Sequence, residues 1–143
     1  MELTYGHLIE KTGRKIKQEL QKEINRLGFG ITVDQWVLLL ELYESGKMPQ
    51  VELEERTFKD APTITRILDI LLQKSLINKY PCNEDRRKFL IELSEQGRNL
   101  VDEMLPHLVV FRKNGWKGLS MQDWEDLQRI MNTIFVNFSN DND

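Results

Sequence analysis

The densest group of charged side chains in the sequence is the run EDRRK, residues 84–88, within the stretch 78–93. Apolar residues follow at the alternate positions Phe89, Ile91 and Leu93. This period predicts a strand, with these three side chains as its anchors in the core. Cations on a hairpin can contact a polyanion, because phosphate groups attract arginine and lysine. The same charges can equally form a solvated turn that prevents aggregation between strand edges. The residue types alone leave both interpretations open.

A second group of polar side chains lies on one face of the segment APTITRILDILLQKS, residues 61–75. The opposite face is apolar at helical spacing and consists of Ile64, Ile67, Leu68, Leu71 and Leu72. Arginine can form two hydrogen bonds to guanine in a major groove, and threonine hydroxyls can reach phosphates or bases. The candidate contact residues are therefore Thr63, Thr65, Arg66 and Asp69. An ordinary solvated helix face is the alternative.

The charge of the chain is unevenly distributed. The net formal charge is −3, yet residues 59–88 contain seven lysines and arginines against four acids, so this stretch carries +3. Electrostatic contacts with a partner depend on such local charge rather than on the total. A basic middle segment followed by an acidic C-terminal part favours a division of function, in which the basic segment contacts an anionic partner and the acidic part does not.

The basic stretch overlaps a predicted helix-turn-helix. A short helix around Leu53 is followed almost at once by a second helix, for which Asp60 is the predicted N-cap, with Pro62 in the first turn. Two segments, residues 76–82 and 88–93, then predict a β-hairpin. Upstream, Thr32 and Gln35 form a capping box at the start of a buried central helix that ends at Gly46.

Long helices are predicted at both ends of the chain. Residues 2–27 have an apolar stripe at helical spacing, and Ser94 is the predicted cap of a further helix. The last helix is predicted to start at Ser120, with Asp123 three residues on, after a break at KNGWKG. Its apolar stripe consists of Trp124, Leu127, Ile130, Met131, Ile134 and Phe138. This stripe could pack on the first helix, but its size favours a seam for a second subunit.

The sequence gives little support for a membrane protein, a secreted protein, a metalloprotein or an enzyme. No segment approaches the roughly 20 apolar residues that span a bilayer, and the N-terminus does not resemble a secretory signal, so the cytoplasm is expected. Cys82 is the single cysteine, and with only His7 and His107 beside it no metal-ligand cluster or cofactor site is predicted. Glycine-rich phosphate loops and nucleophile–histidine arrangements are absent from the sequence, so an enzyme is not expected.

Taken together, these motifs resemble the MarR family of winged-helix transcriptional regulators. The resemblance rests on PTITRILDILLQKSLI as the recognition helix and its exit, EDRRKFLIEL as the wing, and LSEQG at the start of the next helix. Two positions depart from the family pattern. Glu54 stands where alanine is common, which adds negative charge near a phosphate path, and Ser75 stands where glycine is common.

The resemblance implies a mainly α fold with a small β-hairpin wing in a single domain, residues 1–143. Residues 2–27 and about 94–138 would form dimerisation helices around a DNA-binding region at about 32–93. In the wing, Arg87 would enter the minor groove and Asp85 would orient it, while Arg86 and Lys88 would contact phosphates, unless Arg86 forms an internal salt bridge. The implied function is a homodimeric, ligand-responsive repressor that binds double-stranded DNA at a pseudo-palindromic operator.

Three further expectations accompany this resemblance. The family permits a small phenolic or other apolar effector. The pocket for it could be lined by Phe29, Trp36 and Tyr43, although such residues are more often part of the core. A redox role for Cys82 is not expected, because the sensing cysteines of the family lie near the N-terminal helix. A winged-helix module that meets an acidic protein instead of DNA is the alternative function.

Overall fold

The computed structural model describes residues 4–85 and 87–139. In chain order, the elements are α1 (Tyr5–Leu27), α2 (Val33–Ser45), β1 (Met48–Pro49), α3 (Gln50–Thr57), α4 (Ala61–Gln73), β2 (Ile77–Pro81), β3 (Phe89–Leu93), α5 (Glu95–Gly115) and α6 (Met121–Ser139). The chain divides into two compact units, Met1–His107 and Leu108–Asp143. The predicted fold class, mainly helical with a small sheet, is confirmed.

The first two helices end and begin as the sequence predicts. α1 stops at Gly28, which has a φ of 76° that favours glycine. At the start of α2, the Thr32 hydroxyl accepts a hydrogen bond from the Gln35 N–H at 3.1 Å, and the Gln35 side chain accepts one from the Thr32 N–H at 3.2 Å. This capping box starts a helix whose buried side chains include Trp36 and Leu39. α2 is therefore the central helix of the first unit.

The helix-turn-helix consists of α3, α4 and the turn between them. Leu53 anchors α3 and is fully buried. Asp60 caps α4 by accepting a hydrogen bond from the Thr63 N–H at 2.9 Å. The buried face of α4 consists of Ile64, Ile67, Leu68 and Leu71, while Leu72 is only half-buried. Because this face is packed into the core, the opposite face of α4 is left at the surface.

The sheet has three antiparallel strands in the order β1-β3-β2, whereas the sequence predicted a two-stranded hairpin. β2 and β3 pair from Ile77 opposite Leu93 to Pro81 opposite Phe89. The strand missing from the prediction is β1, in which Met48 pairs with Ile91. β1 has only two residues, so it is too short to show the alternation that identifies a strand. We call β2, β3 and the loop between them the wing.

The predicted anchors of β3 need correction. Ile91 is fully buried and Leu93 is half-buried, but Phe89 remains 40% exposed. The Lys79 ammonium group lies 4.6 Å from the centre of the Phe89 ring. A cation over an aromatic face is attracted by the electron density of the ring. Phe89 therefore contributes a surface contact within the wing instead of a core anchor.

α4 ends in a Schellman motif with Ser75 in the left-handed position that glycine usually takes. Ser75 has a φ of 60°. Its N–H donates to the Leu72 carbonyl at 3.0 Å, and the Leu76 N–H donates to the Leu71 carbonyl at 3.0 Å. A residue with a Cβ atom is strained in this conformation. The sequence departure at Ser75 therefore leaves the helix exit intact but makes it less stable.

Ser75→Gly is expected to raise the free energy of unfolding by about 1 kcal/mol, because glycine adopts the left-handed conformation without a steric penalty. Urea unfolding followed by circular dichroism measures the change. Ser75→Ala is the matched control, since alanine keeps the strain and should give no gain. Equal stabilities of the glycine variant and the wild type would contradict the strain at this position.

The start of α5 is joined to the exit of α4. The Ser94 hydroxyl accepts from the Gly97 N–H at 3.0 Å, as expected for the predicted cap, and donates to the Ser75 carbonyl at 2.6 Å. The Ser94 N–H also donates to the Leu76 carbonyl at 3.1 Å. Val101 is then fully buried. These bonds fix the first turns of α5 against the end of the recognition helix.

The second unit contains α6, whose apolar side chains lie largely at the surface. Ser120 and Asp123 cap the helix reciprocally, with N···O distances of 2.8 and 3.1 Å. Within the described part of this helix no residue is buried. Of the predicted stripe, Ile134 is half-buried and the others are exposed, namely Trp124, Leu127, Ile130, Met131 and Phe138. The single-domain organisation and the dimer seam stay predictions.

Candidate nucleic-acid interface

Three of the four residues predicted on the recognition helix lie together at the surface. Thr65, Arg66 and Asp69 are exposed and line a shallow depression with Ala61, Pro62 and Ile70. Thr63 is half-buried, and its N–H is already bound to Asp60. The exposed face of α4 is therefore formed mainly by Thr65, Arg66 and Asp69.

The charges at the start of α4 are arranged by hydrogen bonds. Hydrogen bonds from the Thr63 side chain and backbone, together with the positive charge of Arg66, hold the pKa of Asp60 below its usual value. Among the described residues, Arg66 forms no salt bridge. Its guanidinium donors are thus available for an external acceptor.

One residue of this surface, Gln50, was not predicted from the sequence. Gln50 is the first residue of α3, and its amide nitrogen donates to the Thr65 hydroxyl oxygen at 2.9 Å. The two residues are 15 positions apart, so no local spacing rule connects them. Only the geometry of the turn between α3 and α4 brings them together. Gln50 therefore belongs to the candidate interface.

The wing loop contains the predicted pair of Asp85 and Arg87. The Asp85 carboxylate accepts a hydrogen bond from the Arg87 N–H at 3.0 Å, and the Nε of Arg87 lies 3.4 Å from the same oxygen. The Arg87 side chain is 93% exposed, whereas that of Asp85 is 33% exposed. Asp85 thus contacts the backbone N–H and the Nε of Arg87, while most of the side chain extends from the protein. Arg86 lies outside the described residues.

Two backbone hydrogen bonds close the loop around this pair. The Cys82 N–H donates to the Lys88 carbonyl at 2.9 Å, and the Lys88 N–H donates to the Asp85 carbonyl at 3.0 Å. Lys88 is exposed, as the prediction of a phosphate contact requires, and Cys82 is half-buried. The described part of the loop is consequently a structured turn that presents positive charge on its surface.

A network of ion pairs connects the turn before α4 to α1. The Asp34 carboxylate binds Lys17 of α1 at 3.0 Å and Lys59 of the turn at 3.1 Å. Burial raises the pKa of Asp34, but the hydrogen bonds from the two lysines outweigh that effect and lower it. Asp34 is therefore a carboxylate that ties the helix-turn-helix to the first helix.

The acidic run ELEE of α3 presents less unpaired negative charge at the surface than its sequence suggests. Arg56 binds Glu52 at 2.9 Å and Glu41 of α2 at 3.0 Å. Glu54, the departure from the family pattern, is half-buried, and Glu55 is exposed. Part of the negative charge near the recognition helix is thus paired within the protein, which reduces its repulsion of phosphate groups.

The remaining candidates form ordinary contacts. Trp36 is buried in the core, and Phe29 packs edge-on against His107 with ring centres 6.3 Å apart. The Tyr43 hydroxyl donates to Asp102 at 2.6 Å. In the part of the chain that the structure describes, no three histidine, cysteine or acidic side chains cluster as a metal site would need. No described helix is long and apolar enough to cross a membrane.

Comparison with known proteins decides the family. The model of the MarR family matches residues 31–89, which include the helix-turn-helix and most of the wing. The HTH-type transcriptional regulator YhbI of Bacillus subtilis is 34% identical over 103 residues, which cover 71% of this chain and 66% of that protein, slightly under two thirds of its length. This chain belongs to the MarR family of winged-helix transcriptional regulators.

Solved structures of MarR-type proteins share the fold. The Staphylococcus aureus MepR–DNA complex has a TM-score of 0.86 at 23% identity and covers 95% of this chain and 99% of that one. Bordetella bronchiseptica BpsR, whose DNA binding is regulated by 6-hydroxynicotinic acid, has a TM-score of 0.81 at 25% identity, with coverages of 90% and 96%.

These comparisons confirm the predicted MarR family and the winged-helix fold. The curated relatives are transcriptional regulators, which agrees with the prediction of a DNA-binding transcriptional regulator. The relatives are regulators, which fits the expectation that the chain is not an enzyme. The roles of individual residues in DNA binding stay predictions.

Proposed function

We propose that the chain is a homodimeric repressor that binds a pseudo-palindromic operator and is released by a small apolar effector. The observation that carries this proposal is the wing, where Asp85 holds the base of Arg87 and leaves its side chain 93% exposed. A long, exposed arginine on a structured loop fits a narrow minor groove, where the negative potential is strongest. The exposed face of α4 would be the second surface of the protein that contacts DNA.

The recognition helix would read the adjacent major groove. Arg66 forms no salt bridge among the described residues, so its guanidinium can pair with a guanine without first breaking an internal bond. Thr65 lies beside it on the same depression, whereas Thr63 is half-buried and would serve the helix cap more than DNA. Asp69 would exclude bases that present an acceptor at its position.

The apolar surface of α6 supports the proposed dimer, which would match a pseudo-palindromic operator. Apart from the half-buried Ile134, the stripe from Trp124 to Phe138 is exposed in the protomer, and burying it against a second copy would remove apolar area from water. α1 and α5 would complete this interface, as the family resemblance implies. Two recognition helices could then reach half-sites about 34–36 Å apart, one turn of DNA.

The effector would act by favouring one spacing of the two recognition helices. BpsR provides a precedent, since 6-hydroxynicotinic acid regulates its DNA binding. A ligand shifts such an equilibrium only by its differential affinity for the two states, typically about 1–3 kcal/mol. An aromatic or other apolar compound, which the family permits, is the class of effector we propose.

The test uses the purified protein and duplexes from the DNA upstream of its own coding sequence. Gel-shift titrations at two salt concentrations, with nonspecific duplex as competitor, should reveal one preferred fragment and a steep loss of affinity as salt rises. Failure to bind any duplex in this way would overturn the proposal and favour a protein-interaction module.

Arg66→Ala is expected to relax sequence preference in addition to weakening binding. Discrimination at one base pair of each half-site should fall by about tenfold, since a two-point arginine–guanine contact is worth about 1–3 kcal/mol. Binding to duplexes with single base-pair changes measures the loss. A uniform decrease across all duplexes would instead assign Arg66 to a phosphate.

A further inference from the structure

We infer that Gln50 is a positioning residue of the DNA interface, which holds the Thr65 hydroxyl so that its proton points toward the duplex. The inference rests on the proposed function, because it assigns a role within the same surface. Gln50 would act through Thr65, and the ligand it helps to recognise is a hydrogen-bond acceptor of DNA. Such acceptors are phosphate oxygens and the acceptor atoms on base edges.

The direction of the hydrogen bond determines what Thr65 can offer. A threonine hydroxyl has one proton to donate and two lone pairs that accept. The Gln50 amide nitrogen donates to the Thr65 oxygen at 2.9 Å, and this is the one hydrogen bond of that hydroxyl among the described residues. One lone pair is therefore occupied, while the proton is left for an external acceptor.

Gln50 is itself held in place by the sheet. The residue before it, Pro49, pairs with Leu90 of β3, and Met48 is buried and pairs with Ile91. Gln50 is half-buried at the start of α3, directly after this strand. The pairing of β1 with β3 thus fixes the backbone position of Gln50. The Gln50 side chain therefore extends toward Thr65 from a backbone position that the sheet fixes.

The surroundings of Thr65 suit a hydrogen-bond acceptor that carries negative charge. Thr65, Arg66 and Asp69 line the same shallow depression, and Arg66 supplies the positive charge there that favours an anionic acceptor. The hydroxyl proton and the Arg66 guanidinium would then be adjacent donors. Both phosphate oxygens and the N7 and O6 atoms of guanine match such a pair.

The decisive variant is Gln50→Glu, because it reverses the direction of the bond. An ionised carboxylate only accepts, so the Thr65 hydroxyl would give its proton to the new side chain and present lone pairs to the DNA. Operator affinity is expected to fall about tenfold, since an acceptor would then face an acceptor. Gln73→Glu, at the last residue of α4, introduces the same charge change and should have a much smaller effect.

A double-mutant cycle separates positioning from a direct contact or a structural role. Gln50→Met keeps the length of the side chain without its donor, and Thr65→Val removes the hydroxyl. Each single variant should lose about fivefold in affinity, and the double variant should lose little more than either one, because both remove the same oriented proton. Urea midpoints of all variants should stay near the wild-type value.

The pattern across operator variants identifies the acceptor. A loss that changes preference at one base pair assigns it to a base edge, whereas an equal loss on every duplex assigns it to a phosphate. Wild-type affinity in the Gln50→Glu and Gln50→Met variants, or additive losses in the cycle, would overturn the inference alone. A wild-type protein that binds no duplex would overturn the proposed function, and this inference with it.

Discussion

An Arg87→Ala dimer is expected to bind its operator about 30- to 150-fold more weakly than the wild type, because the dimer presents two wings and each loses a charged contact worth about 1–1.5 kcal/mol. The Arg87 side chain is 93% exposed, and the backbone N–H of residue 87, which donates to Asp85, survives the substitution. The wing turn should therefore stay intact. The free energy of unfolding should change by less than about 0.5 kcal/mol, as for other exposed sites.

Gel-shift titrations of the Arg87→Ala variant at two salt concentrations measure this loss, and a urea midpoint checks the fold. Arg26→Ala is the matched control, because Arg26 is also an exposed arginine with an acidic partner, Glu23, but lies at the end of α1 and not in the wing. It should leave operator affinity nearly unchanged. If the Arg87→Ala dimer bound as tightly as the wild type at both salt concentrations, the proposed role of the wing would be wrong.

Gly97→Ala is expected to lower the free energy of unfolding by about 3 kcal/mol, the upper part of the usual range for overpacking. A Cβ atom at this position would lie 2.0 Å from the Leu76 carbonyl oxygen and 3.2 Å from the Leu93 side chain. The nearest atom is backbone, so the clash cannot be relieved by turning a side chain. Either α5 or the exit of α4 has to shift.

Gly13→Ala provides the matched control for Gly97, because it is also a helical glycine but has nothing within 4 Å of its Cβ position in the protomer. Alanine should stabilise α1 there by about 0.5–1 kcal/mol through its higher helix propensity. Urea or thermal unfolding compares the two variants. A Gly97→Ala protein as stable as the wild type would mean that α5 can move away from Leu76 without cost.

The helix boundaries could be predicted because their signals are local. The capping box at Thr32, the cap at Asp60 and the cap at Ser120 each use atoms three residues apart, and all are present. The buried face of α4 was likewise apparent from its apolar spacing. The strand β1 could not be predicted, because two residues carry no period and its pairing with β3 depends on tertiary structure.

The candidate site shows the same division between local and long-range features. Asp85 and Arg87 are two positions apart, so their pairing could be anticipated from the sequence. Gln50 meets Thr65, and Asp34 meets Lys59, only because the fold brings distant segments together. The exposure of Phe89 was missed for a related reason. Alternation identifies which side chains share a face, but not which end of the strand extends beyond the core.

In the proposed complex, the strand β1 would also limit what length of DNA one protomer can read. Met48 and Pro49 pair with β3 and run directly into the start of α3, so β1 ties the wing to the helix-turn-helix. This connection would limit changes in the separation between the proposed minor-groove contact of Arg87 and the proposed major-groove contact of Arg66. Each base pair adds about 3.4 Å along the duplex. A half-site lengthened by one base pair between these contacts would therefore bind through only one of them.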